Sequence, residues 1–505
     1  MRIIKNYLSL EDFSAIVVGN EKLDLDTDLL QRINRSYEFL VSFSANKVIY
    51  GVNTGFGPMA QYRIKEADQK QLQYNLIRSH SSGTGNPLSP LQVKAAILAR
   101  LNTLALGKSG VNESVVLLMK ELINRNITPL IFAHGGVGAS GDLVQLAHLA
   151  LILIGEGEVF YKGERRATSE VFEIENLQPI DIKIREGIAL MNGTSVMTGI
   201  GIVNVLNAQK LIDWSVKASG LINELVRAYD DHLSEELNHS KLHAGQQHIA
   251  NEMRNHLKDS QLTRNRQEHL YSGTNTEEIF KEKVQEYYSI RCVPQILGPI
   301  YDTVMQVANV LEQEINSAND NPIIDVERQQ VYHGGNFHGD YVSLEMDKLK
   351  LVITKLSMLS ERQLNYLLNS KINELLPPFV NLGTLGFNFG MQGVQFTATS
   401  TTAENQALST SMYIHSIPNN NDNQDIVSMG TNAAVICSQV IENAFEVLAI
   451  EYITLIQAVD ALQCFDQLSS ASQKMYTELR TLVPVFSQDQ IMYPLVEEVK
   501  QYLKK

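Results

Sequence analysis

The hydrophobic pattern of the chain predicts long helices, most of them in its second half. Residues 445–462 (FEVLAIEYITLIQAVDAL) are apolar almost all the way round, which is typical of a helix buried in a bundle. Residues 301–316 carry apolar side chains at helical spacing, and residues 346–368 and 195–225 have the same character. Glycine and proline are few, 31 and 13 in 505 residues, so helical stretches are seldom interrupted.

The first 200 residues have a different pattern. Short β-prone pieces at residues 47–52 and 158–161 lie among helical stretches and glycine-rich turns. We therefore predict two domains, a mixed N-terminal domain at 1–200 and a helical bundle domain at 201–505. The predicted fold class is mainly α.

Composition and charge narrow the function classes. Hydrophobic residues make up 44% and charged residues 19%, which is ordinary for a globular protein and excludes a disordered or collagen-like chain. The net charge of −14 gives an acidic surface that repels phosphate backbones, so we predict no nucleic-acid partner. The sequence pattern indicates neither a membrane span nor a secretory signal, and we predict no membrane association and a cytoplasmic location.

The cysteines and histidines do not indicate a metal site. Cys292, Cys437 and Cys464 are far apart and form no CxxC pair, which also argues against a disulfide framework. His239 and His243 have the i, i+4 spacing of a zinc-binding helix, but no glutamate lies between them to act as a base. A solvated polar helix is the better interpretation there, and we predict no metal cofactor.

The most conspicuous motif is GGVGASGDL at residues 135–143. Gly136, Gly138 and Gly141 satisfy the G-x-G-x-x-G pattern of dinucleotide-binding loops. A doubly wound sheet needs strands and helices in regular alternation, and the rest of the chain lacks that alternation. We therefore reject the dinucleotide interpretation.

The tripeptide Ala139-Ser140-Gly141 offers a different chemistry. In a tightly bent backbone the amide nitrogen of Gly141 can attack the carbonyl carbon of Ala139. Loss of water, including the Ser140 hydroxyl, then leaves a five-membered imidazolone with an electrophilic methylidene group. Ala is small, Ser supplies the leaving hydroxyl, and Gly tolerates strained dihedral angles. On spacing alone, a plain turn before a helix is still the better interpretation.

A resemblance that covers nearly the whole chain decides between these interpretations. GVGASGDL followed by QLAH resembles the signature of the aromatic amino acid lyases, which comprise histidine, phenylalanine and tyrosine ammonia-lyases and the related aminomutases. Val144-Gln145-Leu146 replaces the family's usual Ala-Pro-Leu, outside the cyclising triad. Further blocks follow in family order: YGVNTGFG at 50–57, LMNGT at 190–194, QEYYSIRCVPQILG at 285–298, NDNP at 319–322, HGGNFHG at 333–339 and NQDIVSMG at 423–430.

The resemblance implies a fold, a cofactor and an assembly. Members resemble the fumarase/aspartase-like superfamily in having a mixed N-terminal domain and a long central helical bundle. They carry 4-methylidene-imidazol-5-one (MIO), which the resemblance assigns to Ala139, Ser140 and Gly141 here. They remove ammonia from small-molecule aromatic L-amino acids. They form homotetramers whose active sites draw residues from three subunits.

The matching motifs also imply residue roles. Tyr50 resembles the base that takes the β-proton of the substrate, and Tyr288 resembles a second tyrosine on the other lid. Arg291 resembles the residue that binds the substrate carboxylate, for which a planar guanidinium is well suited. Asn321 resembles a further carboxylate contact.

Three more residues match positions around the cofactor. Asn192 and Gln424 resemble residues that hydrogen-bond to the MIO ring and the amine. Phe337 resembles a residue that packs beside the ring.

Two positions bear on the choice of substrate. Ser79-His80 aligns with the pair that faces the substrate side chain, and a histidine there can hydrogen-bond a phenol, although histidine enzymes have the same pair. Gln424 favours tyrosine, because histidine ammonia-lyases resemble one another in having Glu at this place. The chain therefore resembles bacterial tyrosine ammonia-lyases, which form trans-p-coumarate. Histidine ammonia-lyase, tyrosine 2,3-aminomutase and a non-catalytic helical assembly protein remain alternatives.

Overall fold

The described part of the chain is mainly helical, which confirms the predicted fold class. The computed structural model describes residues 1–45, 47–271, 278–280 and 283–505. These residues form two compact units. The first unit comprises Met1–Leu206, Val307–Lys348 and Ser411–Ser438, and the second comprises Asn207–Gln306, Leu349–Thr410 and Gln439–Lys505. The first unit thus contains all of the predicted N-terminal domain together with two later segments, and the division at residue 200 stays a prediction.

The longest described helices match the segments predicted from the hydrophobic pattern. They are Ser195–Leu225, Val293–Ile315, Asp340–Leu368 and Gly430–Leu462. In the last of them every side chain from residue 447 to residue 459 is buried. Full burial of a large apolar side chain stabilises the fold by about 1.5–3 kcal/mol.

Helix Gly430–Leu462 is also long and apolar enough, by length and composition, to cross a membrane. Its most apolar window has a mean hydropathy of 1.5, and 67% of that window is buried inside the protein. Such burial is what the core helix of a bundle requires. The helix is therefore weak evidence for a membrane span.

A glycine in helix Ser195–Leu225 has a packing reason. A Cβ at Gly199 would lie 2.6 Å from the backbone nitrogen of Ala96, in helix Pro90–Ala105 of the same unit. The two helices approach so closely that no side chain fits between them at this point. Close contact thus explains a residue that is intrinsically unfavourable in a helix.

The shorter helices divide between the two units. Those of the first unit are Leu10–Val17, Thr27–Ser44, Glu66–His80, Pro90–Ala105, Glu113–Asn124, Leu143–Leu153, Thr168–Glu175 and Glu186–Met191. Those of the second unit are Glu235–His239, Ala244–Leu257, Arg266–His269, Tyr288–Arg291, Ser370–Asn373, Gln392–Leu408, Ser470–Arg480 and Tyr493–Leu503.

The described strands are short and lie in the first unit. Arg2–Ile4 pairs in parallel with Leu23–Leu25, and Thr84–Pro87 pairs antiparallel with Phe132–His134. A three-stranded antiparallel sheet consists of Thr128–Pro129, Glu158–Tyr161 and Glu164–Ala167. Ile323–Asp325 forms a hairpin with Gln330–Tyr332.

One β-prone prediction is confirmed and the other is wrong. Glu158–Tyr161 is a strand, whereas residues 47–52 form a turn. The turn is closed by a hydrogen bond of 3.1 Å from the Val52 amide to the Ile49 carbonyl oxygen. Gly51 has a φ of +75°, which extended backbone does not permit.

Candidate active site

A cavity of about 350 Å³ in the first unit collects most of the predicted site residues. The predicted residues that line it are Tyr50, His80, Ser140, Asn192, Asn321, Phe337 and Gln424. They come from distant parts of the sequence and line the same cavity. The remaining lining residues are Phe56, Gly57, Ala60, Leu76, Leu143, Ile188, Asn420 and Asn423.

The Ala139-Ser140-Gly141 segment is tightly bent and held against residue 193. Gly141 has a φ of +71°, and a Cβ there would lie 1.9 Å from the Gly193 carbonyl oxygen. That same oxygen accepts a hydrogen bond of 2.8 Å from the Asp142 amide. Only glycine fits this position, because a side chain would collide with the backbone of residue 193.

Asp142 fixes the end of the bent segment to the start of a long helix. Its buried carboxylate accepts hydrogen bonds from the amides of Val196 (2.7 Å) and Met197 (3.0 Å), in the first turn of helix Ser195–Leu225, and from the Thr431 hydroxyl. Unpaired amides and a partial positive charge at a helix N-terminus favour an anion there. Burial raises the pKa of the Asp142 carboxyl to about 6, although these hydrogen bonds oppose the shift.

Two side-chain amides and one backbone amide donate hydrogen bonds to Ser140. The Gln424 side-chain amide donates to the Ser140 hydroxyl oxygen at 3.0 Å. The Asn192 side-chain amide and the Gly193 backbone amide donate to the Ser140 carbonyl oxygen, at 3.0 and 3.3 Å. Two donors on one carbonyl oxygen are placed to stabilise negative charge there.

The loop that carries Gln424 has a backbone that only a few residue types tolerate. Asn419 and Gln424 form an antiparallel bridge, and between them Asn420, Asn421 and Asp422 have φ values of 53°, 53° and 58°. Asn and Asp adopt this left-handed conformation more readily than other side-chain-bearing residues. The polar run NNNDNQ is thus a tight turn that holds Gln424 at the cavity.

Tyr50 is held by the glycine-rich segment that follows it. The backbone amide of Gly57 donates a hydrogen bond of 3.0 Å to the Tyr50 phenolic oxygen, and the Phe56 ring meets the Tyr50 ring edge-on at 6.1 Å. The hydrogen bond and the ring contact together orient the Tyr50 phenol at the cavity. Gly57 has a φ of +52°, a conformation that favours glycine, and a Cβ there would lie 2.8 Å from the Asn420 side-chain nitrogen.

His80 is oriented by its own helix. Its Nδ1 lies 3.0 Å from the Leu76 carbonyl oxygen and 2.9 Å from the Ser79 hydroxyl oxygen. Because a carbonyl oxygen can only accept, Nδ1 of the neutral ring carries the hydrogen, and Nε2 is left as an acceptor. Ser79 does not line the cavity, and its hydroxyl donates to the Leu76 carbonyl oxygen at 3.1 Å.

Asn321 presents a donor to the cavity. Its side-chain oxygen accepts a hydrogen bond of 2.8 Å from the Gly334 amide, so the NH₂ group is the part of this side chain left to bind a ligand. A neighbouring contact joins two of the sequence blocks, since the Asn319 side-chain amide donates to the Thr194 hydroxyl at 2.8 Å.

Tyr288 and Arg291 belong to the second unit. The Arg291 guanidinium lies over the Tyr288 ring at 4.9 Å from its centre, and the Tyr288 side chain is 70% exposed. Within the described residues the buried Nε of Arg291 has no hydrogen-bond partner. The roles of these two residues stay predictions.

Comparison with known proteins adds a further observation to this geometry. The family model described as "Aromatic amino acid lyase" matches residues 8–481. The chain belongs to the aromatic amino acid lyase family. This confirms the predicted family and the prediction that the chain is an enzyme of the carbon–nitrogen lyase class.

Similar proteins in this lyase family include aminomutases and ammonia-lyases. A tyrosine 2,3-aminomutase from Chondromyces crocatus is 37% identical over 100% of this chain and 96% of its own length. A histidine ammonia-lyase from Halalkalibacterium halodurans is 37% identical over 98% of this chain and 94% of its own. A solved tyrosine aminomutase from Streptomyces globisporus has a TM-score of 0.95 and 34% identity, over 100% of this chain and 96% of its own.

The residues around Ser140 fit the MIO group that this lyase family uses. Gly141 leaves no space for a side chain beside Gly193, and the Ser140 carbonyl oxygen, which the cyclised group keeps, already has two donors directed at it. The buried side-chain oxygen of Asn192 has no hydrogen-bond partner within the described residues, so it is available to a group formed here. Across the described ranges, no group of three or more His, Cys, Asp or Glu side chains is arranged to hold a metal ion.

Sequence reasoning missed several residues that build the site. Leu76, Ile188 and Asn420 line the cavity, and Asp142 positions the bent segment. Asp142 directly follows the triad and Asn420 lies in a conspicuous polar run, so both gave a signal that could have been used. The apolar lining residues gave none, because they resemble ordinary core positions.

Proposed function

We propose that this enzyme is a tyrosine ammonia-lyase, which converts L-tyrosine to trans-p-coumarate and ammonia. The observation that carries the proposal is that His80 and Gln424 line the same cavity as Ser140. The C–N bond breaks with its electron pair leaving on nitrogen, the β-carbon gives up a proton, and a C=C bond forms. The β-proton is weakly acidic and the amine is a poor leaving group, so the site must assist both changes.

The MIO group, formed from Ala139, Ser140 and Gly141, would supply an electrophilic carbon that makes the amine a better leaving group. The chain's own residues surround that position. Asn192 donates to the Ser140 carbonyl oxygen, which the cyclised group keeps, and Gln424 donates to the hydroxyl oxygen that leaves as water during cyclisation. Phe337 lines the same cavity.

Tyr50 takes the β-proton in this proposal. The Gly57 amide donates to its phenolic oxygen, so the phenol is oriented in the cavity before substrate binds. At the other end, the Asn321 NH₂ group donates to the substrate carboxylate, and Arg291 is proposed to bind that carboxylate too.

Recognition of the phenol follows from the tautomer of His80. Its Nε2 accepts a hydrogen bond from the tyrosine hydroxyl, and a phenylalanine side chain has no donor to offer it. Gln424 is neutral, whereas the resemblance implies a carboxylate at this place in histidine enzymes.

We also propose that the enzyme is a cytoplasmic homotetramer whose subunits share active sites. Support comes from the family resemblance and from the exposed Tyr288 beside Arg291, whose Nε has no hydrogen-bond partner within the described residues. Size-exclusion chromatography with light scattering tests the tetramer.

A second candidate function is tyrosine 2,3-aminomutase, in which the ammonia is added back at the β-carbon. The full-length similarity to an enzyme of that name favours it. Incubation with tyrosine, histidine and phenylalanine separately tests the alternatives, with ultraviolet detection of the unsaturated acids and chromatography for β-tyrosine. We expect p-coumarate as the main product. Urocanate formed faster than p-coumarate, or β-tyrosine in excess, would contradict the proposal.

A further inference from the structure

A fully buried ion pair lies next to the cavity residue Asn321. Arg185 and Asp320 are joined by a 3.1 Å contact between Nη1 and Oδ2, and neither side chain is exposed. The same guanidinium donates through Nη2 to the Pro322 carbonyl oxygen at 2.8 Å. Arg185 thus holds the residue before Asn321 and the residue after it.

Asp320 passes this constraint directly to Asn321. Its second oxygen, Oδ1, accepts a hydrogen bond of 2.6 Å from the Asn321 backbone amide. The Asn321 side-chain oxygen is bound to the Gly334 amide, so both the backbone and the amide orientation of Asn321 are fixed. The NH₂ group is therefore the part of this side chain that remains for a ligand.

Arg185 also lies at the start of the segment that leads to Asn192. It precedes helix Glu186–Met191 in a left-handed conformation, with a φ of 65°, and Asn192 follows that helix directly. Arg185 thus acts on one cavity residue, Asn321, through its side chain, and its backbone begins the segment that leads to another, Asn192.

Stability alone is a poor reason for such a pair. Removing two charges from water costs free energy that their attraction often fails to recover, and well-packed apolar residues frequently do as well. The Nε of Arg185 is buried and has no hydrogen-bond partner within the described residues, so the site does not even satisfy the guanidinium fully. The contacts on both sides of Asn321 instead indicate a positioning role.

We propose that the Arg185–Asp320 pair is a positioning device that holds the Asn321 NH₂ group toward the carboxylate of the substrate. The inference rests on the proposed function, because it assumes that the cavity binds an aromatic amino acid. Neither residue lines the cavity, so both act through Asn321.

The test compares two ligands that differ only where the carboxylate would bind. They are trans-4-hydroxycinnamate and 4-hydroxycinnamyl alcohol, and their Kd values are measured by calorimetry on the purified full-length enzyme. The variants are Arg185→Lys, which keeps the charge but loses the planar fork, Asp320→Asn, and Arg185→Met. Lys94→Met is the matched control, because Lys94 is a buried cation of the same unit that binds the side chains of Asn20 and Asn126 and does not line the cavity.

We expect Arg185→Lys and Asp320→Asn to raise the Kd of the carboxylate about tenfold, because a hydrogen bond to a charged group is misplaced. The Kd of the alcohol should change less than about twofold, and the KM for tyrosine should rise with the carboxylate Kd. Lys94→Met should change neither the Kd of the carboxylate nor the Kd of the alcohol. If Arg185→Met does not fold, the two conservative variants carry the test.

The inference would be overturned if the Arg185 and Asp320 variants bound both ligands equally more weakly, or bound both as the wild type does. It would also be overturned if Lys94→Met selectively raised the Kd of the carboxylate. Failure of the proposed function gives a different result, since the wild-type enzyme incubated with tyrosine would then not give p-coumarate as its main product.

Discussion

The side-chain amide of Gln424 donates a hydrogen bond of 3.0 Å to the hydroxyl oxygen of Ser140, although 284 residues separate the two positions. The contact joins the residue that favours tyrosine over histidine to the residue that is expected to form the electrophile. The proposed function therefore assigns cofactor chemistry and substrate choice to two residues in direct contact.

Ser140→Ala removes the hydroxyl that must leave during cyclisation. We expect turnover to fall by at least about a thousandfold, because the amine then departs without assistance. Circular dichroism should show a retained fold. Ser42→Ala, an exposed serine of the same unit, is the control and should keep full activity. Full activity of Ser140→Ala would contradict the assigned electrophile.

Tyr50→Phe removes the proposed base but keeps the ring and its edge-on contact with Phe56. We expect kcat to fall about a hundredfold or more, with a smaller change in KM, since general base catalysis typically contributes about 10²–10⁴-fold. Tyr62→Phe, a 65% exposed tyrosine of a neighbouring turn, should be unaffected. Comparable losses in both variants would exclude a specific role for Tyr50.

Substrate analogues test the hydrogen-bond polarity of His80. If Nε2 is an acceptor, L-tyrosine and L-4-aminophenylalanine, which carry donors, should be used with kcat/KM at least about tenfold above that of L-4-fluorophenylalanine. The fluorine atom resembles the hydroxyl in size but donates no hydrogen bond. A 4-fluoro substrate used as well as the 4-amino substrate would show that Nε2 does not accept from the ring substituent.

Gln424→Glu adds a negative charge at the cavity wall beside Ser140. We expect the kcat/KM ratio of tyrosine to histidine to fall by about tenfold, because a carboxylate suits an imidazole side chain better than a phenol. Asn421→Asp adds the same charge on the same loop without lining the cavity and should leave the ratio unchanged. An unchanged ratio in Gln424→Glu would remove the basis for preferring tyrosine.

The buried carboxyl of Glu451, on helix Gly430–Leu462, should make the stability of the fold depend on pH. Burial raises the pKa of its carboxyl to about 8, whereas the pKa of an unfolded glutamate is about 4.3. The folded chain retains the proton between these values, so this contribution to stability is complete below about pH 4.3 and is lost as pH rises through about 8.

Glu451→Gln stays neutral throughout and should lose less Tm than the wild type between about pH 6 and pH 9. Differential scanning calorimetry measures the difference. Glu446→Gln, on the same helix but partly exposed, should follow the wild-type curve. Parallel curves for wild type and Glu451→Gln would show that this carboxyl does not bind a proton on folding.

Local sequence pattern predicted the long helices well. Helix Ser195–Leu225 has the predicted bounds, because its burial on most sides produces an apolar pattern that is visible in the sequence. The β-prone interpretation of residues 47–52 is wrong, since Ile49 and Val52 are buried in a turn that Gly51 makes possible, whereas Val48 is exposed. Propensity over six residues does not outweigh such a tertiary arrangement.

Motif resemblance predicts the cavity residues of the first unit, but it does not predict the buried residues that position them. Arg185 and Asp320 resemble ordinary surface charges in the sequence, and only the fold shows that both are buried and paired. Ser79 is predicted to face the substrate, its hydroxyl contacts the Leu76 carbonyl oxygen and the His80 ring, and its role stays a prediction. The burial of Arg185 and Asp320 and the contacts of Ser79 depend on where neighbouring atoms lie, and the sequence alone does not show those positions.

Mass spectrometry of the peptide containing Ala139-Ser140-Gly141, from freshly purified active enzyme, tests the central claim most directly. We expect this peptide to be lighter than its encoded mass by about two water molecules, and the same peptide from Ser140→Ala to lack that change. A peptide of unmodified mass from enzyme that turns over tyrosine would contradict the account.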